Sequence, residues 1–207
     1  MKINALCISD AARAKRMCDK VVAVSSDEVI KDGFVTIKEY DASVACGDIY
    51  LSSMLDEDLL ANACDHIVTS GARAVVRAAY DLNEAGLIEA KYKLSPIMLL
   101  HKLGVLDRCE IAGGVCLDND DLDLMAQEGV PLILLPTADA GYGHGYAPVC
   151  AALRRGIRVG VGTFDGKYNK EHDLDREIEF LRLTANAEMR TENALSAAEV
   201  KKILAFA

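Results

Sequence analysis

The sequence is short of positive charge, of long apolar runs and of paired cysteines, and each shortage removes a class of function. Lysine and arginine number 23 against 32 aspartates and glutamates, for a net charge of −9. A general nucleic-acid or anionic-membrane binder needs a basic footprint, so neither partner is expected; a small basic pocket is still allowed. No apolar run approaches the roughly 18 residues that span a bilayer. The opening MKINALCISDAARAKR has no apolar core and no small-residue cleavage site, so the sequence predicts a cytoplasmic protein without a signal peptide. The seven cysteines form no CxxC pair. Cys109 and Cys116 stand closest and lack zinc-site spacing, which favours buried, reduced thiols. There is no nucleophile elbow, no Ser-His-Asp arrangement in a recognisable setting, and no cysteine in a basic context.

What is present reads as one α/β domain over residues 1–207. About half the residues are apolar, 51%, enough for a substantial core. Strand-like runs begin at Ile3, Phe34, Ala74, Cys109, Pro131 and Ile157. Helical patterns separate them: AARAKRMCDKVVAV behind an Asp10 cap, LDEDLLANACDHIVTSG with Gly71 as its stop, DLNEAGLIEAKYKL, SPIMLLHKLG, DNDDLDLMAQEG and APVCAALRRG. DLDREIEFLRLTANAE and SAAEVKKILAF close the chain. This alternation means parallel β/α units. Periodicity alone leaves a doubly wound sheet and part of a (β/α)8 barrel both open. No linker or low-complexity tract interrupts the pattern.

Four stretches carry a more specific signal. They are Pro96-Ile97 with Leu100 and LGVLD, then IAGGVCLDNDDLDLMAQEGV, then PTADAGYGHGYAPV, and last RRGIRVGVGTFDGKYNKEHDLDREIEFLRL. In order and spacing they resemble the amidohydrolase superfamily, in its cytosine, guanine and adenosine-type deaminase branch. The resemblance runs from about Arg77 to Phe180; residues before Arg77 fit in pattern but carry no motif. It implies a TIM-type barrel, here about six βα units corresponding to the family's strands 3 to 8. In the family a divalent metal at the C-terminal ends of the strands activates a water.

The resemblance also implies where the metal ligands would fall. The strand 5 histidine falls on Arg77 and the proton-shuttling glutamate on Tyr80. The strand 6 histidine falls on Gly113, and the strand 8 aspartate on Phe164, with Asp165 one residue on. The Ser-Asn of the substrate loop becomes Ala138-Asp139. A one-residue shift at a strand end turns a side chain to the other face, so Asp165 is not expected to substitute. The sequence therefore predicts a scaffold without its hydrolytic metal centre, holding neither metal nor other cofactor.

The candidate pocket is Arg77, Tyr80, Gly113, Asp139, His144, Phe164 and Asp165. Arg77 is expected to pair with an acidic neighbour such as Asp139 or Asp165, ahead of binding an anion, because an unpaired buried charge is costly. His144 reads more readily as a solvated loop residue than as an acid, base or ligand. The GYGHGYAP glycines read as backbone devices; the setting is not that of a phosphate-binding GxGxxG. The Asp118, Asp120, Asp121 and Asp123 run reads as helix capping, as does His172 with Asp173 and Asp175. His66 and His101 read as packing or surface residues.

The preferred function is a non-catalytic, amidohydrolase-like protein binding a small molecule or a partner. Two alternatives stand beside it: an enzyme with altered, metal-independent chemistry, and a split deaminase or hydrolase completed by another chain. A barrel missing two strands exposes its edges, so a homodimer or a partner chain is expected to cover them.

Overall fold

The computed structural model describes residues 1–8, 11–24, 35–39 and 49–206. Asp10 and Phe34, read above as a helix cap and the start of a strand, lie outside the described residues. The first elements are β1 (Ile3–Cys7), α1 (Ala11–Met17), β2 (Lys20–Val24), β3 (Val35–Glu39) and β4 (Ile49–Leu51). Then follow α2 (Glu57–Ser70), β5 (Ala74–Ala78), α3 (Leu82–Tyr92), α4 (Pro96–Lys102), β6 (Cys109–Gly113) and α5 (Asn119–Glu128). The last are β7 (Leu132–Leu134), α6 (Pro136–Gly141), α7 (Val149–Arg154), β8 (Val159–Val161), α8 (Leu174–Met189) and α9 (Ala197–Ala205).

The helix ends follow local chemistry. Asp56, Asp81, Ser95, Asp118, Asp173 and Ser196 each cap a helix by accepting a backbone N–H of its first turn, which offsets the dipole and satisfies an orphan donor. Ser196 and Glu199 complete a reciprocal capping box. Asp118 caps α5 through the Asp121 N–H, so the acidic run is a helix start, as its pattern implied. Gly71 ends α2 at φ 74°.

The strands form the expected partial TIM-type architecture. Seven of them, β4-β5-β6-β7-β8-β1-β2, pair in parallel in that order. The eighth, β3, lies antiparallel to both β2 and β4 and closes the ring. Two readings change here. AARAKRMCDKVVAV is not one helix: α1 stops at Met17 and Lys20–Val24 is a strand, as its β-branched valines allow. The Phe34 run was expected to be parallel, yet β3 is antiparallel. The segments flanking it, 25–34 and 40–48, are shorter than the dozen or so residues that a parallel crossover needs. The open edges expected from the sequence are also corrected, because both ends of the parallel series pair with β3.

Side chains alternate across the sheet. Val76, Ile111, Leu132, Leu134, Val159 and Val161 join the main core, which packs the helices against the ring. Val75, Ala112, Ile133, Tyr50 and Leu6 form a second core with Phe164 and Phe206. Val75 and Arg77 are two residues apart on β5 and so share a face; this parity directs a charged side chain toward the second core.

Candidate site at the C-terminal end of the ring

Arg77 is the penultimate residue of β5 and is buried. Its guanidinium lies between two aromatic rings, 4.4 Å from the centroid of Tyr80 and 4.2 Å from that of Phe164. Such cation–π contacts are each worth about 0.5–2 kcal/mol. Phe164 reaches this position only by adopting φ 52°, a left-handed conformation that costs a bulky residue about 1–2 kcal/mol. Local pairing holds it there: its N–H donates to the Leu6 carbonyl at 3.0 Å and its own carbonyl accepts from Ile8 at 2.9 Å.

The acidic partner of Arg77 is Asp139. Nη2 is 3.5 Å from Asp139 Oδ1 and 3.4 Å from His144 Nδ1. Asp139 stands on the short α6, whose start is fixed from outside. Glu177 of α8 accepts from the Thr137 backbone at 2.9 Å, the Thr137 hydroxyl at 2.6 Å and Asn169 Nδ2 at 2.8 Å. Burial pushes the Asp139 carboxyl up to about 7, against the pull of Arg77 and with the help of Glu177.

His144 is not the solvated loop residue the sequence suggested. Its side chain is 17% exposed, with Nε2 3.7 Å from Asp81 Oδ2. It stacks on Tyr142 at 5.7 Å and meets Tyr80 at 5.4 Å. Burial and the Arg77 cation push its pKa down, opposed by Asp81. Asp165 turns away from Arg77: it accepts from the Tyr142 hydroxyl and from the Lys167 N–H at 3.0 Å. Asp165 braces the rim.

Gly113 ends β6 at φ 95°, and a Cβ there would sit 2.8 Å from Tyr80 Cβ. A histidine at 113 would meet both backbone strain and a clash. Beneath Tyr80 lies Glu84, buried and pushed up to about 8 by burial. One carboxylate oxygen accepts from the Tyr80 N–H at 3.3 Å.

The structure thus brings together Arg77, Tyr80, Asp139, His144 and Phe164, with Gly113 against Tyr80 and Asp165 at the rim. Ser52, Asp81, Glu84 and Tyr142 also belong here and were missed. Tyr142 lies inside the glycine-rich motif and was findable; the others carried no pattern. His172 is a helix-start residue that is also buried, with Nδ1 2.6 Å from the Thr163 hydroxyl. That hydroxyl accepts from Asn4 Nδ2 at 2.8 Å, so these residues tie β1 to the end of β8.

A divalent metal does not fit these residues. A guanidinium, a glycine whose backbone refuses a larger side chain, and a phenylalanine stand here, at Arg77, Gly113 and Phe164. Among the described residues, no three His, Cys, Asp or Glu side chains come together in a group able to hold a metal. Such a site needs several anionic or neutral donors, and Arg77 would repel the ion.

The ring, its strand order and the motifs lining its C-terminal end define a barrel of amidohydrolase type. The chain is similar to members of the amidohydrolase superfamily in sequence and in fold. It is 32% identical over 114 residues to a 5-methylthioadenosine/S-adenosylhomocysteine deaminase of Caldicellulosiruptor saccharolyticus, covering 55% of this chain and 27% of that protein. It is 26% identical over 186 residues to the deaminase of that name from Natronomonas pharaonis, covering 84% of this chain and 43% of that protein. An adenosine deaminase of Xanthomonas campestris, solved with bound zinc, shares the fold at TM-score 0.67 and 17% identity, over 98% of this chain and 47% of that one. An atrazine chlorohydrolase of Arthrobacter aurescens aligns at TM-score 0.65 and 25% identity, over 75% of this chain and 36% of that one. The chain spans less than half the length of each. No family model matches it. Among the described residues no helix is long and apolar enough to cross a membrane.

Proposed function

We propose that this chain is an amidohydrolase-like binding protein, in which a small-molecule pocket has replaced a hydrolytic metal centre. The observation that carries the reading is Arg77, a buried cation clasped by Tyr80 and Phe164. It occupies the place that the family resemblance gives to a metal-binding histidine. Gly113 supports it, since the backbone there leaves no room for a second histidine. A pocket keeps its shape when its chemistry is lost, because wall residues and reacting groups are separate sets of side chains.

The test is the metal content of protein purified without chelator or affinity tag, with ammonia release from 5-methylthioadenosine and S-adenosylhomocysteine assayed on the same material. The expected result is below about a tenth of an equivalent of zinc, iron, manganese or nickel, with no turnover. Near one equivalent surviving dialysis, with ammonia released, would overturn the reading. A second reading, a metal-independent enzyme, is favoured by one feature: the Asp139 carboxyl lies close to neutrality, at about 7, as a general acid or base should. Turnover without metal, abolished in Asp139→Asn, would establish it.

A further inference from the structure

The cavity beside Arg77 defines the chemistry of its occupant, on the reading that it is a ligand pocket. It holds about 250 Å³ and is lined by Ser52, Arg77, Tyr80, Tyr142, His144 and Phe164. That is below the usual range for drug-sized ligands. Arg77 is the one cation among these residues, and its side chain is 8% exposed. Its hydrogen bonds to Asp139 and His144 are long, at 3.5 and 3.4 Å, the Tyr50 hydroxyl is a further partner, and among the described residues Nε has no hydrogen-bond partner. A guanidinium offers five N–H donors, so part of this one's capacity is unspent. The Tyr80 and Phe164 ring centroids lie 4.4 and 4.2 Å from the guanidinium carbon, and polar partners are left to its N–H edge. Planar, edge-on pairing suits a carboxylate.

We propose that the cavity binds a small molecule bearing a single carboxylate, held at the edge of the Arg77 guanidinium, with its planar body against Tyr80, Tyr142 and His144. A single negative charge follows from the surroundings. Asp81 and Asp139 both approach His144, Glu84 lies under Tyr80, and Asp165 bonds Tyr142 at the rim. A phosphate dianion would meet one lining cation and several acidic neighbours.

The same surroundings set a pH dependence. Among the described residues, the groups around Arg77 are Tyr50 on β4, Tyr80 and Asp81 after β5, Glu84 on α3, Asp139 on α6, Tyr142 and His144 in the next loop, and Phe164 after β8, with Asp165 at the rim turned to Tyr142. Glu177 on α8 lies behind Asp139. Asp139 titrates at about 7 and Glu84 at about 8. Above these values both are anionic, and Asp139 competes with the ligand for Arg77. Below them both are neutral and Arg77 faces the ligand alone. Protonation of His144 in more acidic solution acts in the same direction. Affinity therefore rises as pH falls, by about tenfold or more between pH 8.5 and pH 6.

The experiment titrates the full chain with benzoate, its neutral counterpart benzamide, acetate and inorganic phosphate, by calorimetry at about pH 6 and about pH 8.5. Arg77→Gln, Arg77→Lys and Asp139→Asn are measured alongside, each first shown to melt cooperatively. Benzoate is expected to bind at least about tenfold more tightly than benzamide or phosphate, and more tightly at the lower pH. Arg77→Gln should lose this binding and Arg77→Lys keep part of it. Asp139→Asn should bind at pH 8.5 nearly as wild type does at pH 6. Equal binding of benzamide, tighter binding of phosphate, benzoate binding retained in Arg77→Gln, or no binding of either carboxylate would each overturn the assignment. Metal content and ammonia release decide the underlying reading separately.

Discussion

The two ends of the ring handle buried charge in opposite ways. At the N-terminal end the charge is an anion. Glu110 on β6 is fully buried, with Arg158 at 3.6 Å and Arg73 at 3.9 Å. Both arginines keep part of their side chains in solvent, 29% exposed for Arg158 and 38% for Arg73. The Phe206 ring lies under the Arg158 guanidinium at 4.4 Å and fills the space above Gly160, where a Cβ would come within 2.5 Å of it. At the C-terminal end the charge is a cation, itself buried, held by long contacts and open to a cavity. The first end is plugged and anchored from outside. The second leaves its charge under-satisfied next to space. In barrels of this kind structure and function divide along the same line, and here the division is legible in how each guanidinium is used.

The comparison breaks most severely at the plug. Phe206→Ala should destabilise the chain by about 3–4 kcal/mol, because it opens a cavity against Gly160 and bares Arg158. Denaturant melts should show the loss, with benzoate affinity of the remaining folded protein unchanged. A loss below 1 kcal/mol would mean that the plug is not what holds this end.

The next effect is at the opposite end. Asp139 has a folded-state value of about 7 against 3.8 for the free side chain. The folded chain therefore holds a proton between about pH 4 and 7 that the unfolded chain has released, so this group's contribution to stability falls as pH rises through that window and levels off above it. Arg77→Gln removes the cation that favours ionised Asp139 and should extend the decline above pH 7. Its cost is expected at about 3 kcal/mol near pH 8.5, where a buried charge is left alone, and about 1–2 kcal/mol near pH 6, where Asp139 can stay protonated. Melts at the two pH values check this; equal costs would show that Asp139 is not the partner that matters.

The smallest effect is at the rim. Lys167 lies 4.5 Å from the Tyr142 centroid and 5.1 Å from that of Tyr168, at an exposed site. Lys167→Ala should change stability by less than about 0.5 kcal/mol and benzoate affinity by less than threefold. A larger change in affinity would enlarge the site to include the rim and weaken the case for Arg77 as its one cation.

Several features of this contrast could be read from residues alone. The strands around Val75, Ile111, Ile133 and Val159 and the helices behind Asp56, Asp81, Ser95 and Asp118 announce themselves, because alternation and caps are short-range signals. Arg77, Tyr80, Asp139 and Phe164 were placed in one pocket by motif spacing. His144 was read as solvated because a lone loop histidine carries no mark of what stacks on it; Tyr142, Tyr80 and Asp81 do so only after the chain has folded. Lys20–Val24 was absorbed into a helix because Cys18 and Asp19 are weak breakers, and no local rule says which strand β2 will meet.

The sequence by itself determined the alternation of strand and helix, the capping chemistry, and the presence of Arg77, Gly113 and Phe164 in the motifs that line the pocket, since these depend on residue identity and near neighbours. Only the tertiary structure decided that β3 closes the ring antiparallel, that Phe206 plugs one end, and that Arg77 chooses Asp139 while Asp165 turns to Tyr142. Those outcomes join residues tens of positions apart: Arg77 and Asp139 are separated by 62 positions. Which distant groups meet is settled by packing of the whole ring, where a buried charge takes the partner that comes within reach.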